Sequence, residues 1–370
     1  LREQALCIGY PESNQEARFT THSATYAITQ YAADLDVDLI VVGSHAHSAI
    51  ADLLACKGFQ THLWVFEKEV KDHIEQFHEN KLYLPGHQLS ANLSASNHLV
   101  DVVSNKNLIV VVVPSHVMRT VTRQMPGHLS EGTIVTSASK GIEQKTHLTM
   151  SGVIKETIPE VHEDQLAVIS GPSFAKEVAQ RMPTTVTVAC KNPATASLVQ
   201  HVFATPYFRV YTSDDVVGVE LGGSVKNVIA IASGILDGLG MGLNTRAALI
   251  TRGMTEVRRL GLHLGANPRT FTGLAGFGDL VLTCTGNLSR NYTVGIKLGQ
   301  GKKLQQILNE MHMVAEGVKT AKSVYNFSRK LGVEMPICHE IYHILYEDLE
   351  PKEAVYRLMT RDLRQELDEE

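Results

Sequence analysis

The fold prediction begins with the stretch 38-DLIVVGSHAHSAIADLLACKG-58. An apolar run of strand length is followed by a short turn and then by a helical pattern that ends in Gly58. A strand, a turn and a helix in this order open a dinucleotide-binding βαβ unit. The turn of such a unit carries G-x-G-x-x-G, whereas this chain has GSHAHS at 43–48. The stretch therefore predicts a dinucleotide-binding fold that lacks two of its three glycines.

Short β-branched runs alternate with helical patterns as far as residue 212, which predicts an α/β domain around a mostly parallel sheet. The candidate strands are 38–42, 61–66, 107–113, 133–138, 166–170, 184–190 and 208–212. Beyond Ser213 only helical patterns follow, at 214–240, 244–264, 279–285, 290–299, 302–310, 315–331 and 335–347. We expect a Rossmann-like α/β domain at 38–212 and an all-α domain at 213–370, preceded by an extra segment at 1–37.

The composition limits the function classes. A formal charge of −5 argues against nucleic acid as the main partner. The five cysteines are odd in number and never form C-x-x-C, which is typical of a reducing cytosol. The longest purely apolar run, 108–113, is too short to cross a bilayer. We therefore expect a cytoplasmic protein with a small-molecule substrate, no nucleic-acid partner and no membrane insertion.

A single lysine interrupts the small and apolar segment 218-GVELGGSVKNVIAIASGILDGLG-240. Lys226 is the only charge between Glu220 and Asp237, on a helix whose composition predicts burial on nearly all faces. A buried ammonium group is costly unless it is neutralised, paired or functional. We therefore predict that Lys226 exchanges protons; the alternative is a lysine that extends its amine to the surface.

A single aspartate is likewise an isolated charge in the mostly uncharged segment 270-TFTGLAGFGDLVLTCTGNLSRN-291. Asp279 is the only charge between Arg269 and Arg290, and it follows a glycine-rich loop where a helix begins. Helix N-capping alone would account for it. The alternative is that Asp279 pairs with Lys226 in a water-poor site suited to acid/base chemistry.

Three further stretches are suited to binding an anion. Ser289, Arg290 and Asn291 stand together where a helix begins, which supplies a forked cation and backbone N–H groups. Lys140 follows a strand in TIVTSASKG, at the edge where open α/β sheets bind ligands. The stretch AVISGPSFAKE joins a strand to a helix through a Gly-Pro-Ser turn. Each is also compatible with an ordinary loop or helix cap.

Taken together, these motifs resemble bacterial NAD(P)-dependent glycerol-3-phosphate dehydrogenases from about Ala51 to the C-terminus. The stretches that carry the resemblance are KG (140–141), SGPSFAKE (170–177), GVELGGSVKNVIAIASG (218–234), NTRAALITRG (244–253), TGLAGFGDLVLTCTGNLSRN (272–291) and AEG (315–317). The resemblance implies a Rossmann-like domain followed by a helical one, with NAD or NADP as cofactor. It also implies reversible reduction of dihydroxyacetone phosphate to sn-glycerol 3-phosphate for phospholipid synthesis, and it allows a homodimer.

The resemblance assigns roles to individual residues. Lys226 would be the general acid/base at the C2 oxygen of the substrate, with Asp279 beside it. The residues implied to hold the substrate are Lys140, Gly171, Ser173, Lys226, Asp279, Ser289, Arg290 and Asn291. Those implied to contact the cofactor are Lys140, Ala175, Arg290, Val314 and Glu316.

The N-terminal part departs from this family. Aligned back from Gly58 without a gap, the three glycine positions of the turn fall on Val42, Ser44 and His47, and a shift by one residue recovers only Gly43. The stretch 32–50, AADLDVDLIVVGSHAHSAI, instead resembles the closing segment of a universal stress protein domain. We therefore expect a join near 48–51, with the DLIVV strand serving as the first strand of the dehydrogenase.

We expect this replacement to weaken cofactor binding about ten- to thousandfold, because side chains at the glycine positions crowd the pyrophosphate. The substrate half of the site would remain intact. The alternative interpretation is a nucleotide-binding stress-protein-like module fused to an inactive dehydrogenase.

Two weaker signals remain. Glu67 lies past the second strand at about the spacing of a ribose-binding acid, which favours NAD, although Lys68 beside it could accept a 2′-phosphate and a solvated helix start would explain both. The stretch 339-HEIYH-343 matches the zinc-protease pattern H-E-x-x-H. It has no evident third ligand, so we expect no metal site.

Overall fold

The computed structural model describes residues 39–43, 48–311 and 315–366, with the backbone alone at 39–42. The extra segment at 1–37 lies outside the described residues, and so do turn positions 44–47 and the candidate cofactor residue Val314. Most of the stretch 32–50 also lies outside the described residues, so its expected likeness to a stress protein stays a prediction.

Within the described residues, eight strands form one sheet in the order β3-β2-β1-β4-β5-β6-β7-β8. Their bounds are β1 Leu39–Val42, β2 Thr61–Trp64, β3 Leu93–Ser96, β4 Leu108–Val111, β5 Ile134–Ser137, β6 Leu166–Ser170, β7 Thr184–Ala189 and β8 Phe208–Ser213. Neighbouring strands are parallel except β6 and β7. The predicted, mostly parallel sheet is confirmed, although β3 was not predicted.

The strand from DLIVV occupies an inner position in this sheet. In β1, Leu39 pairs with Thr61 of β2 on one side and with Leu108 of β4 on the other. The chain therefore changes direction across the sheet between β1 and β4. Open α/β sheets bind ligands outside the carboxyl ends of the strands at such a point.

Helices connect the strands and make up most of the chain after the sheet. Their bounds are α1 Ser48–Cys56, α2 Lys68–Phe77, α3 Leu99–Val103, α4 Met118–Thr122, α5 Met150–Thr157, α6 Ala175–Ala179, α7 Pro193–Phe203, α8 Val216–Gly238, α9 Leu243–His263, α10 Asp279–Thr285, α11 Arg290–Gly299, α12 Leu304–Asn309, α13 Glu316–Leu331, α14 Pro336–Tyr346 and α15 Pro351–Met359. The helices predicted after the sheet are present, and α15 is an additional one. The expected α/β part followed by an all-α part is confirmed.

Helix α8 lies at the centre of the helical part. Its carboxylate cap Asp215 accepts the N–H of Gly218 at 2.9 Å, and nearly every residue of the helix is buried. A side chain at Gly234 would lie 2.0 Å from the carbonyl oxygen of Tyr292, so α8 and α11 pack backbone against backbone. This contact brings the first turn of α11 against the C-terminal part of α8.

By length and composition alone, α8 could also cross a membrane, and it is the one such helix in the described residues. Most of it is buried inside the protein, as expected for the core helix of a globular domain.

Candidate active site

Three charged side chains from distant parts of the sequence meet at the carboxyl edge of the sheet. The ammonium group of Lys226, on α8, contacts Oδ1 of Asp279, at the start of α10. Lys140, which follows β5, donates to Oδ2 of the same carboxylate at 2.6 Å. The predicted Lys226–Asp279 pair is therefore present, and one buried carboxylate is shared by two lysines.

The structure corrects the predicted role of Asp279 as an N-cap. The residue is the first of α10, and the cap position belongs to Gly278. A π-helical turn at Leu274–Gly278 runs into α10, so the backbone N–H of Asp279 already donates to carbonyl oxygens of that turn. The carboxylate is thus not needed as a cap and is available to the lysines. It is only 1% exposed.

The surroundings of Lys226 lower its proton affinity. Burial lowers the pKa of its ammonium group to about 8; the positive charge of Lys140 acts in the same direction, and Asp279 opposes it. Thr283 accepts a hydrogen bond from the ammonium at 2.9 Å and donates its own proton to the Asp279 carbonyl oxygen at 2.6 Å. Thr283 was not predicted from the sequence, although its spacing of four residues from Asp279 on one helix was a usable signal.

The loops after β5 and β6 hold Lys140 in place. The Lys140 ammonium donates to the carbonyl oxygen of Gly171 at 3.2 Å, and the Ser173 hydroxyl donates to the same oxygen at 3.1 Å. Gly171 adopts φ +152°, and a Cβ there would lie 2.9 Å from Cα of Val186. Only glycine fits this turn, and the turn directs its carbonyl oxygen towards the lysine.

The predicted Ser-Arg-Asn trio stands where α11 begins. Ser289 caps the helix by accepting the N–H of Tyr292 at 3.3 Å. The amide of Asn291 is fixed on both sides, because it accepts the N–H of Gly317 at 2.9 Å and donates to Asn227 at 3.0 Å. Burial lowers the pKa of Arg290 from its usual value.

A cavity of about 460 Å³ joins these elements. The expected site residues that line it are Lys140, Ser173, Ala175, Lys226, Ser289, Arg290, Asn291 and Glu316. Gly171 and Asp279 lie behind this lining and contact its lysines. Tyr83 and Asn227 line the cavity as well, and neither was predicted from the sequence. Asn227 directly follows Lys226, whereas nothing in the sequence singled out Tyr83.

Glu316 approaches the cavity from the helical part. Its Oε1 accepts the backbone N–H of Ser115, which follows β4, at 3.0 Å. Burial raises the pKa of its carboxyl, and the positive charges of Arg290, Lys140 and Lys226 counteract the rise. The Glu316 carboxylate therefore joins the loop after β4 to α13, close to the positive charges of Arg290, Lys140 and Lys226.

Helix α1 follows the turn after β1, and Ala49 and Ile50 near its start line the cavity. β1 ends at Val42, and Gly43 follows with φ +151°, its N–H donating to the carbonyl oxygen of Trp64 at 3.1 Å. Gly43, rather than Val42, is therefore the first residue of the turn. Ser48 begins α1, is fully buried, and accepts a hydrogen bond from Asn80 at 2.8 Å.

These features fit a dinucleotide. The cavity lies at the change in strand direction, Gly43 has a conformation that favours glycine, and a buried oxygen of Glu67 has no hydrogen-bond partner.

The HEIYH stretch does not form a metal site. His339 contacts the hydroxyl of Ser328 at 2.8 Å, and His343 contacts the carboxylate of Glu347 at 2.8 Å. Within the residues that the structure describes, no group of three or more His, Cys, Asp or Glu could hold a metal ion.

Comparison with known proteins agrees with this geometry. Residues 38–196 match the family model for the NAD-dependent glycerol-3-phosphate dehydrogenase N-terminus, and residues 215–356 match the model for its C-terminus. The chain belongs to this family.

Similar curated proteins are the glycerol-3-phosphate dehydrogenases [NAD(P)+] of Syntrophobacter fumaroxidans and Geobacter sulfurreducens. The first is 53% identical over 87% of this chain and 94% of that relative, and the second is 54% identical over 86% and 95%. Among solved structures, the glycerol-3-phosphate dehydrogenase of Coxiella burnetii matches with a TM-score of 0.84 and 38% identity, over 88% of this chain and all of that one.

Two expectations from the sequence are affected. The resemblance to the dehydrogenases was expected from about Ala51, whereas the N-terminal family model matches from residue 38 and so includes β1 and the GSHAHS turn. An inactive dehydrogenase fused to a stress-protein module is not favoured, because relatives at about half identity match along nearly their whole length.

Proposed function

We propose that this chain catalyses the reversible, NAD(P)-dependent reduction of dihydroxyacetone phosphate to sn-glycerol 3-phosphate for glycerophospholipid synthesis. The observation that carries the proposal is the Lys226–Asp279–Lys140 cluster, with Lys226 and Asp279 buried, which faces a cavity at the switch point of a mostly parallel sheet. Family membership supports the same activity.

Lys226 gives its proton to the C2 oxygen of the ketone and takes it back in the reverse direction. A general acid works best when its pKa lies near the working pH, and burial lowers the pKa of Lys226 to about 8. Asp279 and Thr283 each hold the ammonium, which fixes the direction of its remaining proton. Lys140 adds a second positive charge where negative charge develops on the oxygen.

Arg290 binds the phosphate of the substrate, together with Ser289 and Asn291 at the start of α11. The fork of an arginine matches two phosphate oxygens, and the N-terminus of a ten-residue helix adds a favourable dipole. The locked amide of Asn291 keeps this helix start at a fixed distance from Lys226, because its partner Asn227 is the next residue on α8.

The cofactor supplies the hydride. The residues that would hold it are Lys140, Ala175, Arg290, Val314 and Glu316, with Gly43 at the turn. Glu316 also ties α13 to the loop after β4, because its carboxylate accepts the backbone N–H of Ser115.

The organisation proposed from the sequence accompanies this function. Residues 38–212 would form the dinucleotide-binding domain and 213–370 the substrate domain, in a cytoplasmic protein that assembles as a homodimer and inserts in no membrane. The stretch 32–50 would derive from the end of a universal stress protein domain, which its sequence AADLDVDLIVVGSHAHSAI supports.

The decisive experiment is dihydroxyacetone-phosphate-dependent oxidation of NADH and NADPH by the purified chain, with Lys226→Ala as the control. Turnover that disappears in the variant is the expected result. A folded protein that binds cofactor and substrate but turns neither over would contradict the proposal.

A further inference from the structure

Helix α8 supplies more to the charged cluster than Lys226. Two residues before that lysine, Ser224 is buried, with only 1% of its surface exposed. Its hydroxyl accepts the backbone N–H of Gly141 at 2.9 Å and donates to the carbonyl oxygen of Glu220, on its own helix, at 2.7 Å. Gly141 directly follows Lys140 in the chain. Ser224 therefore holds the peptide group that joins Lys140 to Gly141.

The same helix also guides the stem of Lys140. A Cβ added at Gly223 would lie 3.3 Å from Cδ of Lys140 and 3.5 Å from its Cε, so the lysine runs close along the helix backbone. Beyond the helix, its ammonium donates to Asp279 at 2.6 Å and to the carbonyl oxygen of Gly171 at 3.2 Å. Lys140 is therefore held at its backbone, along its stem and at its ammonium.

The loop that carries Lys140 is confined on its other side by the loop after β4. Gly141 adopts φ +153°, which favours glycine, and a Cβ there would lie 2.5 Å from Cβ of Ser115. The backbone N–H of Ser115 is in turn held by Glu316. The peptide between Lys140 and Gly141 is thus packed against buried surroundings, where its N–H needs an acceptor, and Ser224 provides one.

The position of Lys140 matters because its charge acts on Lys226. Burial lowers the pKa of Lys226 to about 8; the positive charge of Lys140 acts in the same direction, and Asp279 opposes it. The other titratable groups beside Lys226 are Glu316, from α13, and the thiol of Cys284, whose pKa burial raises to about 12 so that it stays neutral. A shift of Lys140 away from the cluster would therefore raise the pKa of Lys226.

We propose that Ser224 is a positioning residue, which sets the second positive charge of the site by holding the Lys140–Gly141 peptide against α8. Because Ser224 and Lys226 are two residues apart on one helix, helix geometry relates the positions of the two lysines, and the loop alone does not. The inference rests on the proposed function, since it concerns the proton donor of the same site.

The test compares pH profiles of dihydroxyacetone phosphate reduction in the wild type and in Ser224→Ala. The variant leaves the buried N–H of Gly141 without its acceptor, so the loop and the charge of Lys140 should move away from Asp279. We expect turnover near neutral pH to fall about tenfold, because positive charge is lost beside the reacting oxygen. The alkaline fall of the profile should move to higher pH by about half a pH unit or more.

Two further variants separate this effect from a general loss of packing. Ser224→Cys keeps a side chain of similar size that accepts hydrogen bonds only weakly, so it should fold and shift the profile in the same direction but less. Ser328→Ala is the matched control, because Ser328 is a fully buried serine on α13 whose hydroxyl contacts His339 at 2.8 Å. Its profile should match the wild type even if its thermal unfolding temperature falls.

A double variant shows whether Ser224 acts through Lys140. The pKa of Lys226 is followed by trace acetylation at different pH values and mass spectrometry of the labelled peptide, which needs no turnover. Lys140→Met should raise this pKa, because it removes the neighbouring positive charge. Adding Ser224→Ala to Lys140→Met should change it no further.

An unshifted profile in folded Ser224→Ala or Ser224→Cys would overturn the inference while leaving the proposed dehydrogenase function in place. The same holds if Ser224→Ala shifts the pKa of Lys226 equally with and without Lys140, or if Ser328→Ala shifts the profile as much. A folded wild-type protein without turnover would contradict the proposed function, and the inference would fall with it.

Discussion

The two halves of the candidate site are built in different ways. At the substrate end, two lysines from separate segments converge on the buried carboxylate of Asp279, which lies on a third segment. At the cofactor end, the family relies on backbone that approaches the pyrophosphate closely, and this chain keeps only Gly43 of the glycine pattern. Each charged residue of the cluster can be recognised by itself in the sequence. A glycine turn, by contrast, functions because its residues carry no side chain. Substitution therefore affects the two halves differently.

The largest effect is expected from removal of the proton donor at the substrate end. Lys226→Met keeps the length of the side chain but cannot transfer a proton, so turnover should fall about 10²- to 10⁴-fold. Cofactor binding, measured by nucleotide fluorescence, should change little. Lys297→Met, a lysine on α11 that pairs with Glu310, is the matched control and should retain full activity. Normal turnover in Lys226→Met would remove the basis of the mechanism.

Arg290 tests whether α11 holds the phosphate. Arg290→Leu should raise the KM for dihydroxyacetone phosphate about 10- to 100-fold, because a charge-assisted contact is lost. Arg290→Lys keeps the charge without the fork and should give an intermediate value. Equal KM values in steady-state kinetics for all three proteins would place the phosphate elsewhere.

Two alignments of the GSHAHS turn with the family's glycine pattern can be tested by restoring glycines. In the ungapped alignment the second and third glycines are restored by Ser44→Gly with His47→Gly, whereas the position of Gly43 after β1 calls for His45→Gly with Ser48→Gly. The correct pair should tighten NADH binding about tenfold or more in a direct titration. Ser48→Gly also removes the buried hydrogen bond to Asn80, so thermal unfolding should be recorded alongside. If neither pair tightens binding, the turn is not what limits cofactor affinity.

The pH dependence follows from the lowered pKa of Lys226. Reduction needs the protonated amine, so its rate should be level below about pH 8 and fall about tenfold per pH unit above it. Oxidation of glycerol 3-phosphate needs the neutral amine and should rise up to about pH 8, then level off. Rate profiles in both directions check this. An inflection near 10.5, the ordinary value for lysine, would mean that burial does not shift this group.

The smallest effect is expected at Thr283. Thr283→Val removes an acceptor from the ammonium of Lys226, which disfavours its charged form and lowers its pKa further. The fall in the reduction profile should move to lower pH, and turnover near neutrality should drop by about threefold to tenfold.

Thr285→Val is the matched control for this change. Thr285 lies on the same helix and makes the same kind of hydrogen bond to a backbone carbonyl four residues earlier, but it is exposed. Its pH profile should match the wild type. Identical profiles for both variants would show that Thr283 does not tune the lysine.

The sequence predicted much of this site because isolated charges in apolar segments are informative. Lys226 and Asp279 stood alone among apolar neighbours, and a buried charge requires a partner. Charge does not single out Thr283 or Asn227, since polar uncharged residues are common in helices for other reasons; only their spacing from Asp279 and Lys226 along the helices could have indicated them. The position of Tyr83 at the cavity could not be predicted either, because it depends on a loop that buried side chains fix to α1.

By itself, the sequence determined the alternation of strands and helices, the change to an all-α part, and the identity of the two charges that must pair. Periodicity and the cost of desolvation are local properties that can be read along the chain. The tertiary structure alone decided that Lys140, 139 residues before Asp279, shares its carboxylate, that Asp279 does not cap its helix, and that Tyr83 fixes Glu67. These contacts depend on which strand ends and helices lie side by side, and short-range sequence patterns do not specify that arrangement.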